Sequence, residues 1–345
     1  MMAPRDLAEL VRAPAALSVP GDVIAGAAAG QALSGRTLGL ACSSVCLYWA
    51  GMAANDWADR RIDAVERPDR PIPSGRVRPE AALAVAAGLT VAGIGTAGLA
   101  GGRRALTVAV PLAVAVWGYD LIAKHTPAGP LAMALCRGLD VLLGATPGRS
   151  PADALPAALT IAAHTYLLTA LSRGEVSGTT RTLPAATLTG TVALAATTAF
   201  QPFSRDSAAG RRVPRSRASA AVSGLKAGGF RPGGRRRRAP TWKPAAGGAG
   251  SGRGADVGGP PPGSSEGWVS AGLALWYAGQ FGAPQAHAAA EPSADRVRAA
   301  VTAGIVGLPA LQGALAARAG AVRAGLAVAL AVPLARRLAR KLSPT

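Results

Sequence analysis

Four oxygen-bearing side chains, Asn55, Asp56, Asp59 and Asp63, stand at the end of a long apolar run. On a helix they fall at roughly 0°, 100°, 40° and 80° around the axis, so they share one narrow face. Carboxylates packed this closely repel each other and need a compensating cation. A hard divalent ion such as Mg²⁺ prefers oxygen ligands of this kind. The competing account is a solvated helix end whose acids pair with Arg60 and Arg61. The stretch that follows contains Pro68, Pro71, Pro73 and Gly75, so its backbone is expected to be stiff and non-helical.

Further candidates recur along the chain. Tyr119, Asp120 and Lys124 close a later apolar run. Asp120 and Lys124 are spaced i,i+4 and could form a helix ion pair, or Lys124 could reach a phosphate oxygen with Tyr119 near a reacting centre. Arg173 and Glu175 stand at another helix end, as a solvated terminus or as an acid site facing the aspartate array. Arg137 and Asp140 are different, because they lie inside an apolar segment. Ionisable groups there are costly and face the protein interior. Mutual pairing at i,i+3 is one account; a place in the wall of a substrate cavity is the one favoured. His125, His164 and His287 are scattered and are given no role.

The elements that must position these residues are apolar helices. Of the 345 residues 50% are hydrophobic and only 4% aromatic, with Ala, Gly, Leu and Val dominant. Small residues suit close helix packing in lipid. Charge-free runs such as 81–102, 154–172 and 183–202 match the length of about 20 residues that a membrane span needs. Period-two alternation is absent. The expected fold is all-α: a multi-span transmembrane bundle of nine or ten helices. The spans run 19–33, 37–54, 81–102, 106–119, 131–145, 154–171 and 183–200, then 268–282 (a weak one), 301–316 and 324–334. Residues 1–17 read as an amphipathic lead-in with no cleavable signal evident.

Loop charge sets the orientation. Arg60, Arg61, Arg67, Arg70, Arg76 and Arg78 follow the second span, Lys124 the fourth, and Arg173 with Arg181 the sixth. Alternate loops share a side, so these clusters meet at one membrane face, expected to be cytoplasmic. The net charge of +19 would suit nucleic acid. However, residues 201–268 alone hold 13 Lys/Arg against 3 Asp/Glu. The charge belongs to one segment rather than to a domain surface, so no nucleic-acid partner is expected. Three parts follow: helices one to seven with the acid site over 1–201, a basic Gly/Pro/Arg-rich insert at 202–267, and C-terminal helices over 268–345. The insert has no apolar face and reads as disordered, or as a frame disturbance in the source sequence. Cys42, Cys46 and Cys136 lie in apolar segments without metal-ligand grouping and read as small core residues.

The acid array, taken with Arg67-Pro68-Asp69-Arg70-Pro71-Ile72-Pro73-Ser74-Gly75, resembles the first Asp-rich motif of the UbiA superfamily of intramembrane prenyltransferases. Tyr119 to Lys124 resembles that family's loop after its fourth helix. Where the family carries a second Asp-rich motif, this chain has Ser172-Arg173-Gly174-Glu175-Val176-Ser177-Gly178, with one acid and no aspartate. That departure resembles a divergent, largely bacterial branch. The resemblance implies a UbiA-like bundle in a bacterial plasma membrane with its site on the cytoplasmic side. It also implies Mg²⁺-dependent transfer of a prenyl group from a prenyl diphosphate to a lipophilic or aromatic acceptor. Asn55, Asp56, Asp59 and Asp63 would hold Mg²⁺ and the diphosphate, Arg70 and Lys124 would bind the diphosphate, and Arg173 would be a further substrate-binding residue. Tyr119 would lie near the reacting carbon. Glu175 would be a partial substitute for the second motif, and Arg137 and Asp140 would lie near the acceptor. A transporter or lipid-binding protein, or an inactive relative, is the alternative. The oligomeric state stays open.

Overall fold

The computed structural model describes residues 3–12, 18–200, 265–331 and 333. All of these belong to one compact unit. Of the basic insert at 202–267, and of its reading as disordered, all but the last three residues lie outside the described ones. The regular elements among the described residues are helical. They are α1 (Pro4–Leu10), α2 (Val19–Ala29), α3 (Gly35–Glu66), α4 (Pro79–Leu121), α5 (Gly129–Ala145), α6 (Leu155–Ser172), α7 (Thr182–Phe200), α8 (Ser265–Ala290), α9 (Ala294–Arg318) and α10 (Val322–Ala329). The described residues form the expected all-α bundle, with ten α-helices among them, in keeping with the nine or ten expected. By length and composition, α3, α4, the segment that ends in α6, α7 and α9 could each cross a membrane.

Two bounds differ from expectation in ways that shape the site. α3 does not stop at Ala54 but continues to Glu66. At 1.5 Å per residue, about 30 Å of helix separates Gly35 from Asn55, the thickness of a bilayer's apolar core. The acid array thus lies beyond the length of α3 that a bilayer's apolar core would cover. α2 is shorter than expected and ends at Ala29, too short to span. It is wedged among α3, α5, α6 and α9, with Val23, Ala25 and Ala27 wholly buried.

The third and fourth spans are the two arms of α4, folded at Gly102. Its φ of 67° lies in the left-handed region, which a glycine enters freely. The arms run antiparallel: a Cβ at Gly98 would touch Leu106, and Trp117 Nε1 donates to Thr90 Oγ1 at 3.0 Å. Both arms pack on α3, where the Ser43 hydroxyl donates to the Gly93 carbonyl at 2.7 Å. α2 and α5 approach backbone to backbone. A Cβ on Gly26 would lie 1.7 Å from the Val141 carbonyl oxygen, and one on Gly144 would lie 2.0 Å from that of Val23. This is the close packing that small residues allow.

Loops gather at two ends. At one end Lys124 reaches Asp59, Arg173 reaches the Thr126 carbonyl and the Thr179 N–H donates to the Pro292 carbonyl. At the other end Arg104 meets the Gly148 carbonyl and Gln31 meets that of Ala319. The cysteines divide: Cys136 is buried, but Cys46 is half-buried and Cys42 is exposed. Cys42 is therefore not a core residue.

Candidate active site

Because α3 is unbroken through Glu66, Asn55, Asp56, Asp59 and Asp63 do lie on one face. That face turns inward: Asp56 and Asp63 are buried and Asp59 is mostly so. The compensating cations come from elsewhere. Arg70 Nη1 sits 2.5 Å from Asp63 Oδ2 and 3.4 Å from Asp56 Oδ1. Arg12 Nη2 reaches Asp56 Oδ1 at 2.7 Å, and Arg67 lies 3.9 Å from Asp63. Lys124 Nζ takes the other half, 2.7 Å from Asp59 Oδ1 and 2.9 Å from Asn55 Oδ1. The array is thus divided, Asp56 and Asp63 on Arg70, Asp59 and Asn55 on Lys124.

Arg60 does not take part in this compensation. It folds back on Trp57, donating to its carbonyl at 2.7 Å with the guanidinium 4.6 Å from the ring centre. Lys124 is not drawn to Asp120 by helical spacing either. α4 ends at Leu121, and a 3₁₀ turn over Ala123–His125 redirects Lys124 towards α3. Asp120 is buried against α3, where a Cβ on Gly51 would lie 2.7 Å from its Oδ2.

Arg70 is placed by the proline-rich loop. The Ser74 N–H donates to the Arg70 carbonyl and the Val77 N–H to that of Pro71, at 3.0 and 2.9 Å. Ile72 and Val77 are buried against Leu10, Ala53, Ala82 and Ala86. The loop is therefore anchored through Ile72 and Val77, while much of the rest of it is exposed.

Adjoining the array is a cavity of about 480 Å³, bounded by Arg12, Tyr48, Tyr119, Arg137, Glu175 and Leu308 among others. Arg137 reaches it, whereas Asp140 is sealed behind the wall and accepts a hydrogen bond from Ser44. The i,i+3 pairing of Arg137 with Asp140 is not what forms. Arg137 Nε instead meets Asp22 of α2 at 2.7 Å, and Gln312 of α9 donates to the other Asp22 oxygen at 2.6 Å. Asp22 escaped the sequence reading, although a lone acid within Val19–Ala29 is the same signal that marked Arg137. Arg12, Gln312 and Tyr48 carried no such signal.

Glu175 lines the cavity from the turn between α6 and α7, and its carbonyl accepts from Arg298 Nη1 at 3.0 Å. Partial burial pushes its carboxyl above the usual range, with the charge of Arg298 opposing. Arg173 is exposed and donates to the Thr126 carbonyl, so it joins two loops rather than facing the cavity.

Among the described residues no three His, Cys, Asp or Glu side chains converge closely enough to hold a metal ion. The donor chemistry of the array nonetheless suits Mg²⁺, being carboxylate and amide oxygen at a helix end outside the apolar slab. Side-chain cations balance the acids in two groups, Asp56 with Asp63 and Asp59 with Asn55.

A helical bundle with several membrane-length spans, and a cluster of acids and bases closing a cavity at one end, defines an integral membrane protein. The chain belongs to the UbiA prenyltransferase family, which it matches over residues 17–224. It is 37% identical over 140 residues to a digeranylgeranylglyceryl phosphate synthase of Methanopyrus kandleri, covering 40% of this chain and 49% of that protein. It is 35% identical over 115 residues to a bacteriochlorophyll synthase 33 kDa chain of Cereibacter sphaeroides, covering 31% and 37%. The chain thus spans about half the length, or less, of these curated relatives. A solved structure concerned with digeranylgeranylglyceryl phosphate synthase in membranes shares the fold. Its TM-score is 0.54 at 14% identity, over 94% of this chain and 100% of the other.

Proposed function

We propose that the protein transfers a prenyl group from a prenyl diphosphate to a lipophilic acceptor inside the membrane. The observation that carries this reading is the acid array, with Arg70 and Lys124 on it, adjoining a cavity walled largely by apolar side chains. A prenyl diphosphate has the same division: a polyanionic head and an apolar tail.

Asn55, Asp56, Asp59 and Asp63 are the residues that would hold Mg²⁺. When bound, Mg²⁺ would neutralise the diphosphate and stabilise it as a leaving group. Arg70 and Lys124, already on the array, bind diphosphate oxygens and hold positive charge where negative charge develops. The C–O bond to the allylic carbon breaks with its electron pair leaving on the diphosphate. The acceptor then bonds to that carbon, and its proton passes to an oxygen of the departed diphosphate. Tyr119 lines the cavity, where its ring can face the cationic carbon. The apolar wall keeps water from that carbon. Glu175, on the same wall, stands in for the second acid motif, and Arg173 fixes its loop to the turn that holds Lys124. Arg137 binds a polar group of the acceptor, and Asp140 backs the wall beside it. An aromatic acceptor fits Tyr48 and Tyr119 as ring surfaces. We place the site on the cytoplasmic side of a bacterial plasma membrane, in keeping with the arginine-rich loops beside it.

The test uses purified protein in lipid nanodiscs with Mg²⁺, a labelled prenyl diphosphate and a panel of aromatic and lipid acceptors. Pyrophosphate release and a product heavier by one prenyl unit are expected. Asp59→Ala and Asp63→Ala should each lower kcat by about a hundredfold or more, with thermal unfolding little changed. Undiminished turnover in both variants would sink the reading.

A further inference from the structure

One cation at the array has no part in the donor site described so far. Arg12 follows α1, and its Nη2 lies 2.7 Å from Asp56 Oδ1, the same oxygen that Arg70 approaches at 3.4 Å. Among the described residues Asp56 is the only side chain it hydrogen-bonds or ion-pairs with. A guanidinium offers five N–H donors in a planar fork, so one carboxylate oxygen leaves most of its capacity unused. Arg12 also bounds the cavity, whereas Arg70 and Lys124 do not. It stands where acid array and apolar chamber meet.

The segment that carries this side chain is firmly mounted. Arg76 of the proline-rich loop holds α1 at two acids, Asp6 at 2.7 Å and Glu9 at 2.8 and 2.9 Å. Leu10 is wholly buried against Ile72 and Val77 of the same loop. Arg12 itself has a φ of 46°, in the left-handed region that a residue with a Cβ seldom enters.

We propose that Arg12 is a donor-binding residue, gripping the diphosphate from the cavity side where head meets tail, with α1 and Arg76 as its mount. The proposal rests on the prenyl-transfer reading. A prenyl diphosphate seated with its tail in the cavity and its head on the array must pass Arg12. Arg70 and Lys124 then flank the head away from the cavity, and Arg12 closes it from within. Arg76 is a positioning residue, acting only through α1.

Steady-state kinetics and direct binding test this together. Arg12→Gln should raise the donor KM about tenfold, while the acceptor KM stays within about twofold. Calorimetric titration with inorganic pyrophosphate and Mg²⁺ should show a similar loss of affinity. Arg12→Lys should recover part of it, keeping the charge but not the fork. Arg76→Gln should shift donor KM in the same direction by a smaller factor. Unchanged donor KM and pyrophosphate affinity in Arg12→Gln would overturn the proposal, as would a fall in kcat alone. Those results leave wild-type turnover intact, and with it the prenyl-transfer reading. A wild-type protein that neither turns over prenyl diphosphates nor binds pyrophosphate overturns both.

Discussion

Asp22 and Arg137 form an ion pair inside the bundle, joined by Gln312, which donates to the Ser18 carbonyl at 2.7 Å as well as to Asp22. Taking both charges out of water is costly, and their attraction offsets that cost only while both are present. Removing one leaves the other stranded. Asp22→Ala should therefore destabilise the protein by about 3–5 kcal/mol, against a much smaller loss for Asp22→Leu combined with Arg137→Met. Thermal unfolding in detergent measures this, and equal losses in the two variants would mean that the pair is not what holds α2. The acids of the array behave otherwise, since Arg70 and Lys124 arrive on loops and can be exchanged for a ligand. This difference was only half legible in sequence. Helical spacing alone put the array residues on one face. Nothing local could pair Asp22 with Arg137, because contacts between distant helices leave no periodic trace.

At the scale of elements, two joints decide where the site residues stand. The first is the contact of α2 with α5, which carries the Asp22–Arg137 pair. Gly144→Ala would put a methyl 2.0 Å from the Val23 carbonyl oxygen, so the helices must part. A cost of about 1–3 kcal/mol is expected. Gly95→Ala is the control: nothing lies within 4 Å of the added methyl. Removing that helical glycine should stabilise the protein by some tenths of a kcal/mol. Melting temperatures moving in opposite directions would bear this out. The second joint is Arg76 with Asp6 and Glu9. Hydrogen bonding to Arg76 pulls the Glu9 carboxyl below its ordinary 4.5, with burial opposing. A carboxyl lowered in the folded state contributes stability above its ordinary value and loses it as pH falls through the lowered one. The first residues should thus grow protease-sensitive as pH drops below 4.5, before the bundle unfolds. Glu9→Gln should show part of that sensitivity at neutral pH. The role of α1 is not legible in sequence, because a short helix owes its place to tertiary partners rather than to its own propensity.

For the whole molecule, the alternation of spans was legible. Apolar runs and their breaks showed which loops share an end, and Lys124 on Asp59 with Arg173 on the Thr126 carbonyl agrees with that grouping. What the runs could not show is depth. α2 reads as a span but is a buried half-length helix, and α3 reads as ending at Ala54 but continues to Glu66. α7 ends and α8 begins at the far end of the bundle, where Arg318 donates to the Thr197 carbonyl and Ser270 to that of Ala314, each at 3.0 Å. The chain therefore leaves α7 and re-enters α8 at the end opposite the arginine-rich site loops. Arginines in short loops near span ends direct those loops to the cytoplasmic side. The site loops should therefore be cytoplasmic. With Cys42, Cys46 and Cys136 replaced by serine, Asp69→Cys reports the site loop and Arg103→Cys the opposite turn; both positions are exposed. In right-side-out vesicles a membrane-impermeant maleimide should label Arg103→Cys directly and Asp69→Cys only after permeabilisation. The reverse pattern would put the acid array outside the cell, where a prenyl diphosphate made in the cytoplasm could reach it only by crossing the membrane with its charge.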